Sequence, residues 1–137
     1  MKKIALIITL FTALSILCSC AGAPLDIESY EWTLVSVTKS NPNGENAKEI
    51  QFDGATLVAK NGIITITDAS SSESFSGTYL QTGASSKGRD YSVSIADYSG
   101  NGILSSSDYY SEETVPTISF SISNGESRYI LVFKSKN

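Results

Sequence analysis

The chain has 137 residues, with ten Lys and Arg against fourteen Asp and Glu, and its formal net charge is −4. This acidic balance argues against nucleic acid as a partner and against charge-driven docking on anionic lipid. The chain contains no histidine, which is the commonest general base, and we therefore expect it not to be an enzyme.

The N-terminus has the organisation of an export signal. Lys2 and Lys3 precede an uncharged, mostly apolar run over residues 4–17. That run is shorter than the roughly 20 residues of a membrane-spanning helix, and small residues follow it. Cys18 and Cys20, the two cysteines of the chain, come next. Their spacing suits neither a zinc hook nor a relaxed disulfide.

Leu17-Cys18-Ser19-Cys20 resembles the lipobox of bacterial lipoproteins. The resemblance implies cleavage before Cys20 and a diacylglycerol thioether on its sulfur. The chain would then be extracytoplasmic, held to a bacterial membrane by acyl chains of the palmitate type. The alternative is an ordinary secretory signal that is cleaved after Ser19 or Ala23. The first interpretation divides the chain into a signal peptide (1–19), a lipidated N-terminus and tether (20–26) and a β-barrel domain (27–137).

After the tether, apolar residues recur with period two, as in half-buried strands. A shift of phase in the first strand predicts a β-bulge near Leu34. Strands are expected over 30–37, 50–59, 63–67, 74–79, 91–95, 103–106, 117–122 and 128–134. Turns are expected at Asn43-Gly44, Asn61-Gly62, 82–88, 99–102 and Asn124-Gly125, with a helical turn around 108–113.

These strands present one apolar face and one face rich in Ser and Thr. A sheet with one apolar face must fold over or close in water, and eight strands are enough to close a barrel. Short connections favour sequential pairing over a Greek key. The fold class expected is therefore all-β, a single antiparallel eight-stranded up-and-down barrel preceded by a signal peptide.

Tyr30-Glu31-Trp32 resembles the Gly-x-Trp motif in the first strand of lipocalins, with Tyr in place of Gly. Together with the later alternating strands and the final Tyr-Ile-Leu-Val-Phe-Lys, it is similar to bacterial lipocalin-like (calycin-type) lipoproteins. The resemblance implies that Trp32 plugs the closed end of the barrel and that Arg128 or Lys134 packs over it. It also implies an apolar cavity for a small ligand.

The interior of the expected barrel is either a filled core or a ligand cavity, and both interpretations stay open. In the second, loops around 40–48 and 82–89 would gate the mouth. The candidate ligand-binding residues are Trp32, Leu34, Ile64, Phe75, Tyr79, Tyr91, Val93, Phe120, Tyr129, Leu131 and Phe133, with Ile66, Ile95, Ile118 and Ile122 on the same face.

Residues 97–108 resemble a calcium loop of the EF-hand or dockerin type. The candidate ligands are Asp97, Ser99, Asn101 and Asp108. A hairpin that turns at 99–102 explains the same residues, and we favour it. No cofactor is therefore expected, with Ca²⁺ as the alternative.

The function expected is that of a membrane-anchored barrel that binds a small apolar or amphipathic ligand. The alternative is a protein–protein interaction or structural envelope module with a filled barrel and no ligand. Its contact surface would be Ile130 and Val132 on the outer face of the last strand, or the exterior of the sheet that is rich in Ser and Thr, and its partner is unknown.

Overall fold

The computed structural model describes residues 25–51, 54–85, 88–106 and 115–136. These ranges contain a short 3-10 helix, Ile27–Ser29, and nine strands. None of the helical structure within them is long or apolar enough to cross a bilayer. The strands are β1 (Trp32–Ser40), β2 (Lys48–Glu49), β3 (Ala55–Lys60), β4 (Ile63–Asp68), β5 (Ser74–Ser85), β6 (Gly88–Ile95), β7 (Tyr98–Ser105), β8 (Thr117–Ser123) and β9 (Arg128–Ser135).

The strands form one closed antiparallel sheet. From β3 to β9 each strand pairs with the next along the chain, and β9 pairs back onto β1. Both β2 and β3 lie along the other edge of β1, β2 beside Thr38 and Lys39 and β3 beside Trp32 and Thr33. They act as one interrupted strand, so the architecture is the expected eight-stranded up-and-down barrel.

The predicted β-bulge lies in β1. The register between β1 and β9 shifts between Leu34 and Ser36, and Val35 at the bulge is 44% exposed. Beyond the bulge the inward face continues with Val37, which is buried, and with Lys39. The bulge therefore explains why the apolar phase of this strand changes, and it aims Lys39 towards the barrel axis.

The β6–β7 hairpin is confirmed, but its turn is not where the sequence suggested. Ile95 pairs directly with Tyr98, so the turn consists of Ala96 and Asp97. Ala96 adopts a φ of 55°, a left-handed conformation that costs a residue with a Cβ roughly 1 kcal/mol. Residues 99–102 continue β7 instead of forming a turn.

The glycines of β7 give neighbouring groups room to approach the strand. A Cβ on Gly102 would lie 2.7 Å from the Phe120 ring, and one on Gly100 would overlap the Ser121 carbonyl oxygen. Glycine inside a strand commonly marks such a close approach. The prediction of a turn at 99–102 was wrong because these glycines serve packing. The helical turn expected around 108–113 lies outside the described residues.

The two ends of the barrel differ. At one end, called here the closed end, lie the Asn61-Gly62 turn, the 3-10 helix, and the paired residues Ser85 and Gly88 of β5 and β6. The β1–β3 connection and residues 69–73, 96–97 and 124–127 lie at the other, the open end. Hairpin turns alternate between the ends of an up-and-down barrel. The expectation that residues 82–89 gate the mouth is therefore wrong, because residues 82–85 and 88–89 belong to β5 and β6 and lie at the closed end.

Candidate ligand-binding site at the open end of the barrel

The closed end is sealed by the 3-10 helix. Trp32 Nε1 donates a hydrogen bond of 2.9 Å to the Ile27 carbonyl oxygen, and the Ile27 amide donates one of 3.3 Å to the Tyr91 hydroxyl. All three residues are buried, and burial raises the pKa of Tyr91. Trp32 therefore lies at the closed end, as the lipocalin resemblance implied.

A polar contact ties the helix to the strands around it. Glu28 Oε1 accepts a hydrogen bond of 2.7 Å from the Asn61 amide and another from the Tyr79 hydroxyl. The Tyr79 bond lowers the pKa of Glu28. Burial, followed by the bond to Glu28, raises the pKa of Tyr79 to about 12. These hydrogen bonds connect the 3-10 helix, the turn after β3 and strand β5 at the closed end.

Arg128 cannot cover Trp32, because it lies at the opposite end of β9. It pairs in register with Ser40, and its Nε donates a hydrogen bond of 3.0 Å to Ser121 Oγ. Lys134 stands opposite Thr33, one residue from Trp32. The expectation for Arg128 is therefore wrong, and packing of Lys134 over Trp32 stays a prediction.

The interior is a solid core from the closed end to the middle. The rings of Phe120 and Phe133 meet edge to face with centroids 5.9 Å apart, a favourable aromatic geometry. Val93 is also buried. The side chains with almost no exposure are Ile27, Trp32, Leu57, Ile64, Tyr91, Leu104, Ile118, Phe120 and Phe133.

Towards the open end the same inward face becomes exposed. Leu34, Ile66 and Leu131 are only partly buried. Above the core lies a cavity of about 390 Å³, within the range of small-molecule sites. Its lining is predominantly apolar and comprises Leu34, Ile66, Phe75, Ile95, Ala96, Asp97, Tyr98, Ile122, Leu131 and Phe133.

Phe75 was expected in the barrel interior, and the structure places it on the rim. It lies near the start of β5, opposite Ile66, and is 51% exposed. Its ring lines the apolar cavity and also a second hollow of about 400 Å³ that extends to Gln51 and Gly54. Phe75 therefore faces inward but forms part of the mouth instead of the core.

Aromatic and charged side chains surround the mouth. Tyr98 and Tyr129 meet edge to face with centroids 5.4 Å apart, and Lys39 Nζ lies 5.6 Å from the Tyr129 ring centroid. Burial raises the pKa of Tyr98, and the charges of Tyr129 and Asp97 and a hydrogen bond with Tyr129 raise that pKa further. The rim thus combines a cation with aromatic hydroxyls beside an apolar hollow.

Of the residues proposed as calcium ligands, the three that the structure describes do not lie on one loop. Ser99 and Asn101 lie in extended β7, where alternate residues point to one face about 6.6 Å apart. Asp97 occupies the turn and accepts a hydrogen bond of 3.4 Å from Asn124. Asp108 lies outside the described residues, and within those residues no group of three metal-ligating side chains occurs.

Several core residues were missed from the sequence. Leu57 and Ala59 belong to a run with apolar residues on both faces, and Leu104 follows Ile103 directly, so alternation does not assign a face to them. Ile27 lies in the 3-10 helix, where a period of two does not apply. The helix N-cap at Asp26, whose side chain accepts from the Glu28 amide, was a usable signal for that element.

Comparison of the chain with protein-family models, with curated proteins and with solved structures gave no match. The architecture, a closed eight-stranded antiparallel barrel, is consistent with a lipocalin-like fold.

Proposed function

We propose that the protein is a membrane-anchored extracytoplasmic lipoprotein that binds a small apolar or amphipathic ligand in its barrel mouth. The observation that supports binding is the cavity of about 390 Å³ at the open end, lined by side chains such as Leu34, Ile66 and Leu131. Binding would be passive: apolar surface of the ligand leaves water for the hollow above the core. No catalytic step is part of this proposal.

The anchor would be the diacylglycerol on Cys20. Cys20 precedes Leu25 by five residues, so the tether spans at most about 17 Å. Leu25 packs against the core next to the 3-10 helix at the closed end. A barrel held there presents its mouth away from the membrane, where a dissolved ligand can enter.

Ligand binding can be tested by native mass spectrometry of residues 21–137 purified from cells. These residues contain the whole closed barrel. A co-purifying small mass supports the proposal, and Leu131→Trp, which fills the mouth, should remove it. The matched control is Ile103→Trp, because Ile103 is 59% exposed on the outer face. Equal retention in both variants would contradict binding in the mouth.

The anchor can be tested separately. In cells supplied with labelled fatty acid, the full-length chain should incorporate label and fractionate with membranes. Cys20→Ser should abolish both, whereas Cys18→Ser should not. Label on the Cys20→Ser protein would contradict lipidation at this residue.

The alternative function, a protein–protein interaction or envelope module, is favoured by one observation. Ile130 and Val132 are half-buried on the outer face of β9, and Val35 at the adjacent bulge is 44% exposed. A ligand-free dimer in the same mass spectra, lost in Val35→Lys, would favour this function over the carrier.

A further inference from the structure

Two lysines stand side by side at the mouth. Lys39 on β1 pairs directly with Lys48 on β2, and both are exposed. Residues directly opposite in an antiparallel pair project from the same face, about 5 Å apart at their Cβ atoms. Like charges in that position are destabilising. The two-residue strand β2 therefore assembles a charge pair that the fold itself does not require.

Among the residues that the structure describes, no carboxylate is in salt-bridge contact with either lysine. Glu49 and Glu126 line the same groove of about 510 Å³ as the two lysines, but neither is in salt-bridge contact with them. On the cavity side, Asp97 already accepts a hydrogen bond from Asn124.

The lysine pair adjoins the apolar cavity. Lys39 Nζ lies over the Tyr129 ring, 5.6 Å from its centroid. Tyr129 in turn packs against Tyr98, whose side chain lines the cavity. An anion held by the lysines would therefore have its attached apolar chain directed across the two tyrosines into the hollow above Phe133.

We propose that the mouth selects a single-chain anionic amphiphile, with its head group between Lys39 and Lys48 and its tail in the apolar cavity. This proposal rests on the proposed function and specifies the ligand class of the same site. The adjacent positive charges of Lys39 and Lys48 supply the selection for an anion, and burial of the tail supplies most of the affinity.

The cavity and its position favour one short chain over a bilayer lipid. A volume of about 390 Å³ is near the lower end of small-molecule pockets, which leaves room for one short chain rather than two long ones. The mouth also lies at the end of the barrel opposite Leu25, which follows the expected anchor. The ligand would then enter as a dissolved monomer.

The proposal can be tested by isothermal titration of residues 21–137 with three probes that share one tail: decanoate, decanol and decyltrimethylammonium. We expect decanoate to bind most tightly. Lys39→Gln and Lys48→Gln should each weaken decanoate binding about fivefold, as for a partly exposed ion pair, and the double variant should weaken it further. Decanol binding should not change, and added salt should reduce only the decanoate preference.

The matched control is Lys60→Gln, since Lys60 is an exposed lysine at the other end of the barrel, next to the Asn61-Gly62 turn. It should leave decanoate affinity unchanged. An equal loss of decanoate affinity with Lys60→Gln would mean that the affinity depends on the net charge of the protein and not on the position of the lysines. That result would overturn the proposal. Circular dichroism of every variant separates a lost contact from a lost fold.

The outcomes separate the two proposals. If decanoate and decanol bind equally, or the ammonium probe binds best, the anion selectivity is wrong while the carrier function stands. If no probe binds, both fail. Acetate serves as a further probe that has the anionic head group but no long tail. If acetate binds as well as decanoate, the tail does not enter the cavity and the proposal is overturned. Preference for phosphatidylglycerol vesicles over free decanoate would likewise overturn the single-chain ligand.

Discussion

Two phenylalanines on the same inward face should differ sharply in what they contribute to stability. Phe133 has no exposed surface, whereas Phe75 is 51% exposed at the mouth. Phe133→Ala and Phe75→Ala make the same chemical change at the two positions. The pair of variants therefore tests the division of the interior into a solid core and an open mouth.

The expected losses follow from burial. Truncating a fully buried Phe to Ala removes its transfer free energy and leaves a cavity, at a cost of about 3–5 kcal/mol. Complete burial of a Phe side chain contributes roughly 1.5–3 kcal/mol, and Phe75 gains only about half of this because about half of its surface is exposed. Solvent can also fill the space that its truncation leaves. We expect a loss of about 1 kcal/mol for Phe75→Ala, with a difference of at least about 2 kcal/mol between the variants.

The assay is urea unfolding of residues 21–137, followed by tryptophan fluorescence. Trp32 is the single tryptophan of the chain and is fully buried, so its emission reports the whole barrel. The slope of the free energy of unfolding against urea should stay the same in both variants, which licenses comparison of the extrapolated values.

Equal losses of 3 kcal/mol or more, on the scale of a core truncation, would refute this reasoning. They would mean that Phe75 is buried in solution and that the mouth is closed. The ligand-binding site proposed above would then have no entrance.

Other predictions concern the backbone and the closed end. Gly100→Ala should cost about 3 kcal/mol in urea unfolding, because the new Cβ would meet the Ser121 carbonyl oxygen; a neutral result would contradict the close approach. Ala96→Gly should stabilise by about 0.5 kcal/mol, since relief of left-handed strain exceeds the added chain entropy; destabilisation would argue against a φ of 55°. The raised pKa of Tyr79, about 12 against an ordinary 10.0, gives stability that is present below pH 10 and lost as the pH rises towards 12. The deficit of Tyr79→Phe relative to the unmodified chain should therefore shrink over that range, and a constant deficit would show that Tyr79 has no raised pKa.

Most of the fold was predicted from the alternation of apolar and polar residues along the chain. The strands around Tyr91, Phe120 and Phe133 were identified from a period of two, which directly reports that one face meets the core. The bulge near Leu34 was also predicted from the sequence. The apolar residues of this strand change from one face to the other, and such a change inside one strand has few other causes. By contrast, the β6–β7 turn was misplaced. Ala96-Asp97 carries no turn signal, whereas the glycines that make room for packing look like one.

The position of the mouth loops was partly deducible. Counting hairpins from the N-terminus places residues 82–89 at the end opposite residues 40–48, because consecutive turns of an up-and-down barrel alternate between its ends. The height of a residue inside the barrel was not deducible. Alternation states which side chains point inward, but it does not state how far each one lies from an opening.

The chain by itself therefore determined an all-β barrel and the identity of most of its inward side chains, since these depend on local periodicity. Only the closed structure separated buried Phe133 from exposed Phe75, although both obey the same alternation. Only the pairing of β1 with β2 brought Lys39 beside Lys48, nine residues apart in the sequence. Register between strands is a property of the whole closed sheet. A site that depends on this register therefore cannot be predicted from the sequence alone.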